Sequence, residues 1–143
     1  MTHNLFTYGT LMFPAVVRQL ARRTLPMQPA TLHGFARRKL RGAGYPGITP
    51  ASGGAVAGML VGGVSPALLA RLDRWEGAEY ERRLVRVETE RGGACALAHV
   101  YALAPRTLPR VLPENWDAVA FEREHLARWL RMAMRFRARE IDA

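Results

Sequence analysis

Glu76 is the residue whose type and position are best suited to acid–base chemistry in this sequence. It ends the segment SPALLARLDRWEG, which has a helix start signal in Ser65 and Pro66 and a stop signal in Gly77. The segment therefore predicts a helix from Pro66 to Glu76. With 3.6 residues per turn, Glu76 falls on the apolar side of this helix. That side also carries Leu68, Leu69, Leu72 and Trp75.

A carboxylate in that position is expected to have a raised pKa for two reasons. The apolar side of the helix faces the core, where the ionised form loses hydration, and the last turn faces the negative end of the helix macrodipole. A carboxyl group with a raised pKa can accept and return a proton near neutral pH, as a general base must. The alternative is that Glu76 leans out of the frayed helix end and pairs with Arg74 or Arg82.

The turn YGTL, from Tyr8 to Leu11, is the second stretch whose residues could take part in binding or catalysis. A strand that ends in an aromatic residue followed by glycine can turn sharply and leave backbone amides unpaired. Such amides can hold a carboxylate. A plain connection between a strand and a helix explains the same residues and stays open as an alternative.

Other common chemistries lack their residues. The only serines are Ser52 and Ser65, and neither lies in a G-x-S-x-G turn. The histidines lack the spacing and carboxylate company of a metal site; they are His3, His33, His99 and His125. No phosphate-binding glycine motif opens a helix. We therefore expect no metal and no cofactor.

Composition indicates a single domain over residues 1–143 of a reduced, cytoplasmic protein. The only cysteine, Cys95, lies in an apolar run and is expected in the core. The N-terminus lacks a signal peptide, and the uncharged stretch from Gly42 to Ala70 is too rich in glycine and proline for a membrane span, so no membrane association is expected. The net charge of +9 is carried almost wholly by arginine, which fits nucleic-acid binding, attraction of anionic substrates or arginine-rich codon usage.

The elements that must position these residues follow from periodicity and turn signals. Strands are predicted for residues 4–8, 30–40, 53–63, 80–90 and 94–103, with a Gly92-Gly93 hairpin joining the last two. Helices are predicted for residues 14–23 and 66–76, and a final basic helix for Asp117 to Arg139. Residues 103–115 are expected to be irregular. The fold class is α+β, with a small, mostly antiparallel β-barrel flanked by helices.

Four short motifs occur in a characteristic order along the chain. They are Tyr8-Gly9-Thr10-Leu11, Tyr45-Pro46-Gly47-Ile48, the strand segment from Ala55 to Leu60, and Leu72-Asp73-Arg74-Trp75-Glu76-Gly77 followed by Tyr80 and Arg82. Together they resemble the γ-glutamylcyclotransferase-like family, which includes the plant AIG2-like proteins. The resemblance spans residues 5 to about 103 and leaves out the basic C-terminal helix.

The resemblance implies a barrel with a cavity between the N-terminal turn and the helix that carries the acid. It implies a γ-glutamyl substrate that cyclises to 5-oxoproline and releases a free amine, with Glu76 as the catalytic residue. The implied substrate-binding residues are Tyr8, Gly9, Thr10, Leu11, Tyr45 and Tyr80. Only Ala78 and Glu79 separate Gly77 from Tyr80, which is shorter than in the larger glutathione-pathway members and predicts a different cavity rim.

Two other functions stay open at this point. One is a binding or interaction module of the same fold that has lost activity. The other is nucleic-acid binding through two basic groups, which the scarcity of interleaved aromatic residues makes the weaker prediction. These groups are Arg37, Arg38, Lys39 and Arg41, and Arg128, Arg131, Arg135 and Arg139. The sequence leaves open whether the protein is a monomer or a homodimer, and which amine leaves.

Overall fold

The structure of the protein is a computed structural model that describes residues 1–90 and 93–142. Five strands are present: β1 (His3–Thr7), β2 (Met27–Lys39), β3 (Pro46–Val64), β4 (Tyr80–Thr89) and β5 (Cys95–Leu103). The α-helices are α1 (Pro14–Ala21), α2 (Pro66–Glu76), α3 (Ala118–Glu124) and α4 (Leu126–Asp142). Short 3-10 helices span Thr10–Met12, Gly77–Glu79 and Pro105–Arg110.

The strands form a closed barrel in the order β1-β3-β2-β4-β5. Every neighbouring pair is antiparallel except β1 and β5, which meet in parallel at Leu5 and His99. Closure leaves no free edge among the five strands that the described residues form. The predicted α+β class, with a mostly antiparallel barrel and flanking helices, is confirmed.

The buried apolar side chains form two clusters, one on each face of the barrel sheet. One takes residues from all five strands, including Phe6, Leu32 and Val100, and fills the barrel interior. The other joins the outer side of β1 and β3, with Leu5 and Val61, to the helices. Its helix residues include Val16, Val17, Leu20, Leu68, Leu69, Leu72 and Ala133. Leu5 and Phe6 are chain neighbours on opposite faces, because side chains alternate along a strand.

Helix α2 forms where its capping residues predict it. The Ser65 hydroxyl accepts a hydrogen bond from the Leu68 amide at 3.1 Å, Pro66 occupies the first turn, and Gly77 follows the last residue with a φ of 72°. That φ favours glycine. The helix therefore ends at Glu76, and the short Gly77–Glu79 turn leads into β4.

Several expectations differ from the structure. The connection after Leu103 contains the 3-10 helix Pro105–Arg110, and the single C-terminal helix is broken at His125 into α3 and α4. Hydrogen bonds continue on both sides of the break, from the His125 amide to Phe121 and from the Trp129 amide to His125. The helical spacing of the apolar residues therefore continues across the break at His125, so the sequence pattern did not predict the break.

Cys95 is exposed, so its predicted place in the core is wrong. It pairs with Glu88 at the hairpin end of β4 and β5, where the alternating pattern turns it away from the interior. The predicted Gly92-Gly93 turn includes Gly92, which lies outside the described residues, so this prediction is not tested. Within the described ranges, no helix has the length and apolar character needed to cross a membrane.

Candidate active site

A cavity opens between β1, the turn after it, the end of α2 and the start of α4. The empty space between its lining residues is about 550 Å³, a volume that includes open solvent at its mouth. It brings together all seven predicted site residues: Tyr8, Gly9, Thr10, Leu11, Tyr45, Glu76 and Tyr80. The rest of the wall comes from Phe6, Thr7, Pro46, Trp75, Glu79, Tyr101 and Trp129.

Glu76 lies in this cavity without a partner for its carboxyl group. It is partly buried, and no hydrogen bond or ion pair in the described part of the chain involves its side chain. Burial, followed by repulsion from Glu79, raises the pKa of Glu76 to about 8. The arginines that offered an alternative have other partners, because Arg74 pairs with Glu140 and Arg82 pairs with Asp73.

The turn from Tyr8 to Leu11 lines the same cavity. The Met12 amide bonds back to the Gly9 carbonyl at 2.9 Å, which forms the 3-10 turn. The amides of Gly9, Thr10 and Leu11 have no hydrogen-bond acceptor within residues 1–90 and 93–142. The start of such a turn leaves its amides free, and here they border the cavity.

Close packing fixes the turn in place. A side chain at Gly9 would come within 2.9 Å of the Pro46 ring, so only glycine permits this approach of the first and second motifs. The Arg37 guanidinium donates to the Tyr8 carbonyl at 3.0 Å, and the Tyr8 hydroxyl donates to the Tyr101 carbonyl. Burial raises the pKa of Tyr8 well above its usual value, so the hydroxyl stays neutral.

Glu79 lies three residues after Glu76 in an opposite environment. The Tyr45 hydroxyl donates to its Oε1 at 2.7 Å, and Arg110 forms an ion pair with its Oε2. Arg110 also donates to the Arg41 carbonyl through Nε and a second nitrogen. Glu79 therefore joins Tyr45 to the connection after β5 at the rim of the cavity.

The hydroxyl groups of the remaining tyrosines, Tyr80 and Tyr101, both donate hydrogen bonds within the protein. Tyr80 donates to the Pro46 carbonyl at 2.6 Å, and Tyr101 donates to Asp73 Oδ1 at 2.7 Å. Burial raises the pKa of both hydroxyls. Tyr45 and Tyr80 thus offer ring surface to the cavity, whereas their polar ends hold the wall together.

Trp129 was missed as a site residue because its helix lies outside the four motifs. Its ring contacts Tyr45 edge-on at a centroid distance of 5.5 Å and Trp75 edge-on at 5.7 Å. Glu79 and Tyr101 were also missed. Their partners are distant in sequence, and no local pattern signals such contacts.

The site fits acid–base chemistry better than metal chemistry. In the described ranges, no group of three or more His, Cys, Asp and Glu side chains could hold a metal ion. Among the described residues that line the cavity, Glu76 is the one carboxyl group without a partner, and it shares the cavity with the free amides of the turn. Fold and site together define a small barrel protein with a carboxyl group of raised pKa in an open cavity.

Comparison with known proteins identifies the family. The family described as "Gamma-glutamyl cyclotransferase, AIG2-like" matches residues 5–118. The chain is 38% identical to Protein AIG2 C of Arabidopsis thaliana over 116 residues, covering 81% of this chain and 70% of that protein. It is 34% identical to AIG2-like protein D of the same plant over 141 residues, covering 98% and 91%. The chain therefore belongs to the AIG2-like gamma-glutamyl cyclotransferase family.

Solved structures share the fold. A protein of Arabidopsis thaliana determined in solution superimposes with a TM-score of 0.73 at 33% identity, covering 92% of this chain and 87% of that one. A structure titled "Gamma-glutamyl cyclotransferase" gives a TM-score of 0.64 at 14% identity, with 93% and 86% covered. The second likeness shows the fold alone.

Proposed function

We propose that this protein is a γ-glutamyl cyclotransferase, an acyltransferase that releases 5-oxoproline and a free amine from a γ-glutamyl amide. One observation carries the proposal: an unpaired carboxyl group with a pKa of about 8 shares a cavity with unpaired backbone amides. The reaction needs a proton acceptor and an anchor for the substrate's α-carboxylate. The family match supports the same activity.

The substrate is expected to bind with its α-carboxylate on the amides of Gly9, Thr10 and Leu11. Anchoring that end selects the folded-back rotamer, in which the α-amine lies close to its own γ-carbonyl carbon. Because the nucleophile and the electrophile belong to one molecule, positioning supplies much of the acceleration. Tyr45 and Tyr80 would hold the rest of the substrate with their ring surfaces.

Glu76 is proposed to carry the proton through both steps. As a carboxylate it takes a proton from the α-ammonium group, which frees the amine to attack the γ-carbonyl. The new C–N bond closes the five-membered ring. Glu76 then returns the proton to the leaving nitrogen as the original C–N bond breaks. The ring nitrogen, which still carries two hydrogens after the attack, gives up one of them to the released amine, which leaves as an ammonium ion. A pKa near the working pH suits a group that must accept and donate in one turnover.

No cofactor enters this reaction, and the proposed location is the cytoplasm, in line with the single cysteine. The names of the relatives in sequence, AIG2 and AIG2-like proteins, state no activity, so the cyclotransferase activity is a proposal for this protein. A barrel of this family that binds a ligand without reacting is the alternative that the test must separate.

The test is detection of 5-oxoproline by mass spectrometry after incubation with γ-glutamyl amides. Glu76→Gln is compared with Glu81→Gln, which makes the same chemical change at an exposed site on β4. Product from the native protein and Glu81→Gln, but not from Glu76→Gln, is expected. Equal product from all three would remove Glu76 from the mechanism. Ligand binding without product from the native protein would favour a binding module.

A further inference from the structure

Tyr45, Trp75 and Trp129 form an aromatic rim at the cavity, and the two tryptophans have no role in the steps above. In the proposed reaction the glutamyl head lies between the turn amides and Glu76. The leaving nitrogen must lie beside Glu76, because it receives the proton from that carboxyl group. The group attached to this nitrogen therefore extends along the remaining wall, to which the three rings of the aromatic rim belong.

Trp129 brings this rim together. It comes from α4, beyond the residues matched by the family, and its ring meets both Tyr45 and Trp75 at steep angles, 81° and 78°. Trp129 is partly exposed, as are the two rings that it contacts. The three rings thus form a corner that remains accessible from the cavity mouth. Aromatic rings favour edge-on and offset contacts with a further ring, at about 4.5 to 7 Å between centroids.

The charges around the cavity argue against an ionic leaving group. Within the described ranges, its wall contains no Lys, Arg or His side chain, so a carboxylate on the leaving group would find no cation there. Glu79 is neutralised by Arg110, and burial favours the protonated form of Glu76. A cationic leaving group would therefore find no free carboxylate at neutral pH, in a protein whose net charge is +9.

We propose that Trp129, with Tyr45 and Trp75, forms a subsite for an uncharged aromatic leaving amine. This inference rests on the proposed cyclotransferase function and adds the class of amine. Trp129 acts here as a specificity-determining residue. The C-terminal helix thus completes the site and sets its preference.

Four γ-L-glutamyl substrates test the subsite. The 2-phenylethylamide carries the aromatic ring, the ethylamide lacks it, γ-glutamylphenylalanine adds a carboxylate, and the 4-aminobutylamide carries a cation. We expect kcat/KM for the phenylethylamide, from 5-oxoproline formation, to exceed each of the others by about tenfold. Equal values for the phenylethylamide and the ethylamide, or a higher value for either charged substrate, would overturn the proposal.

The variants Trp129→Ala, Trp129→Phe and Met134→Ala locate the preference. The ratio of kcat/KM for the phenylethylamide to that for the ethylamide should fall to about one in Trp129→Ala and largely recover in Trp129→Phe. Met134 is exposed on the same helix, so Met134→Ala should keep the native ratio. An unchanged ratio in Trp129→Ala would contradict the role of Trp129.

A binding measurement separates this inference from the proposed function. If no substrate yields 5-oxoproline, the cyclotransferase proposal fails, and calorimetry of the Glu76→Gln variant with the phenylethylamide and the ethylamide then decides the subsite. Tighter binding of the phenylethylamide that disappears on adding Trp129→Ala would support it. Equal binding of the two amides would overturn it.

Discussion

Glu76 and Glu79 are two carboxyl groups of one cavity with opposite surroundings. Glu79 accepts hydrogen bonds from Tyr45 and Arg110, and its negative charge is balanced. Glu76 has neither a donor nor a cation within the described residues, and its pKa is raised to about 8. Both lie within four residues at the end of α2, so sequence position alone does not decide their behaviour.

The contrast separates a group available for proton transfer from one that holds the structure. A carboxylate that is paired and hydrogen-bonded is stabilised in its charged form, whereas an unpaired buried one is stabilised in its neutral form. The charge on Glu79 also repels the charged form of Glu76. Glu79 therefore contributes, after burial, to the raised pKa of Glu76.

Loss of the unpaired carboxyl group should have the largest effect. Glu76→Gln keeps the size of the side chain but removes the base, so turnover should fall by about 10² to 10⁴, the usual contribution of a general base. Steady-state formation of 5-oxoproline measures this loss. An equally large loss in Glu79→Gln would break the comparison, because it would give both carboxyl groups the same role.

The pH dependence should follow the raised pKa of Glu76. Below about 8, each unit of pH should lower the fraction of the carboxylate form about tenfold, so kcat/KM should decline as pH falls through this region. The substrate's α-ammonium group titrates in the same direction. Carbon-13 NMR of the substrate-free protein therefore provides the direct measurement, with Glu76→Gln assigning the resonance. A midpoint near 4.5 would contradict the effect of burial.

The ionisation of Glu76, which should raise activity, should lower the free energy of unfolding. Between its ordinary range near 4.5 and about 8, Glu76 is protonated in the native state and ionised in the unfolded chain. Its contribution to the free energy of unfolding therefore declines as pH rises across this window. At pH 9, Glu76→Gln should be more stable than the native protein by about 1 to 3 kcal/mol. Urea unfolding at pH 4 and pH 9 measures the difference, which should vanish at pH 4.

Removal of the paired carboxyl group should have the smallest effect. Glu79→Gln weakens the bonds to Tyr45 and Arg110, so the free energy of unfolding should fall by about 1 kcal/mol and kcat/KM by less than about tenfold. It also removes the charge that repels the carboxylate form of Glu76. The Glu76 midpoint, followed by NMR, should therefore move to lower pH, and a shift to higher pH would contradict this coupling.

Prediction from the sequence succeeded where the determining contacts are local. Helix α2 begins and ends as Ser65, Pro66 and Gly77 predict, because capping involves residues within one turn. The position of Glu76 on the apolar side follows from the same helical period. The prediction failed for Cys95, since an apolar run does not reveal which residues of a strand face outward at a hairpin end. The break at His125 was not predicted either, because the helical spacing of apolar residues continues across it.

By itself, the sequence determined most of the strands and helices, the α+β barrel class, the family resemblance and the acid on the inner side of α2. Each of these depends on periodicity, capping or the order of short motifs. Only the tertiary structure decided which acid has a partner, because Tyr45 and Arg110 reach Glu79 from 34 and 31 residues away. It also decided that Trp129 belongs to the cavity. Helix packing sets that contact, and the pattern within α4 indicates only which side of the helix is apolar.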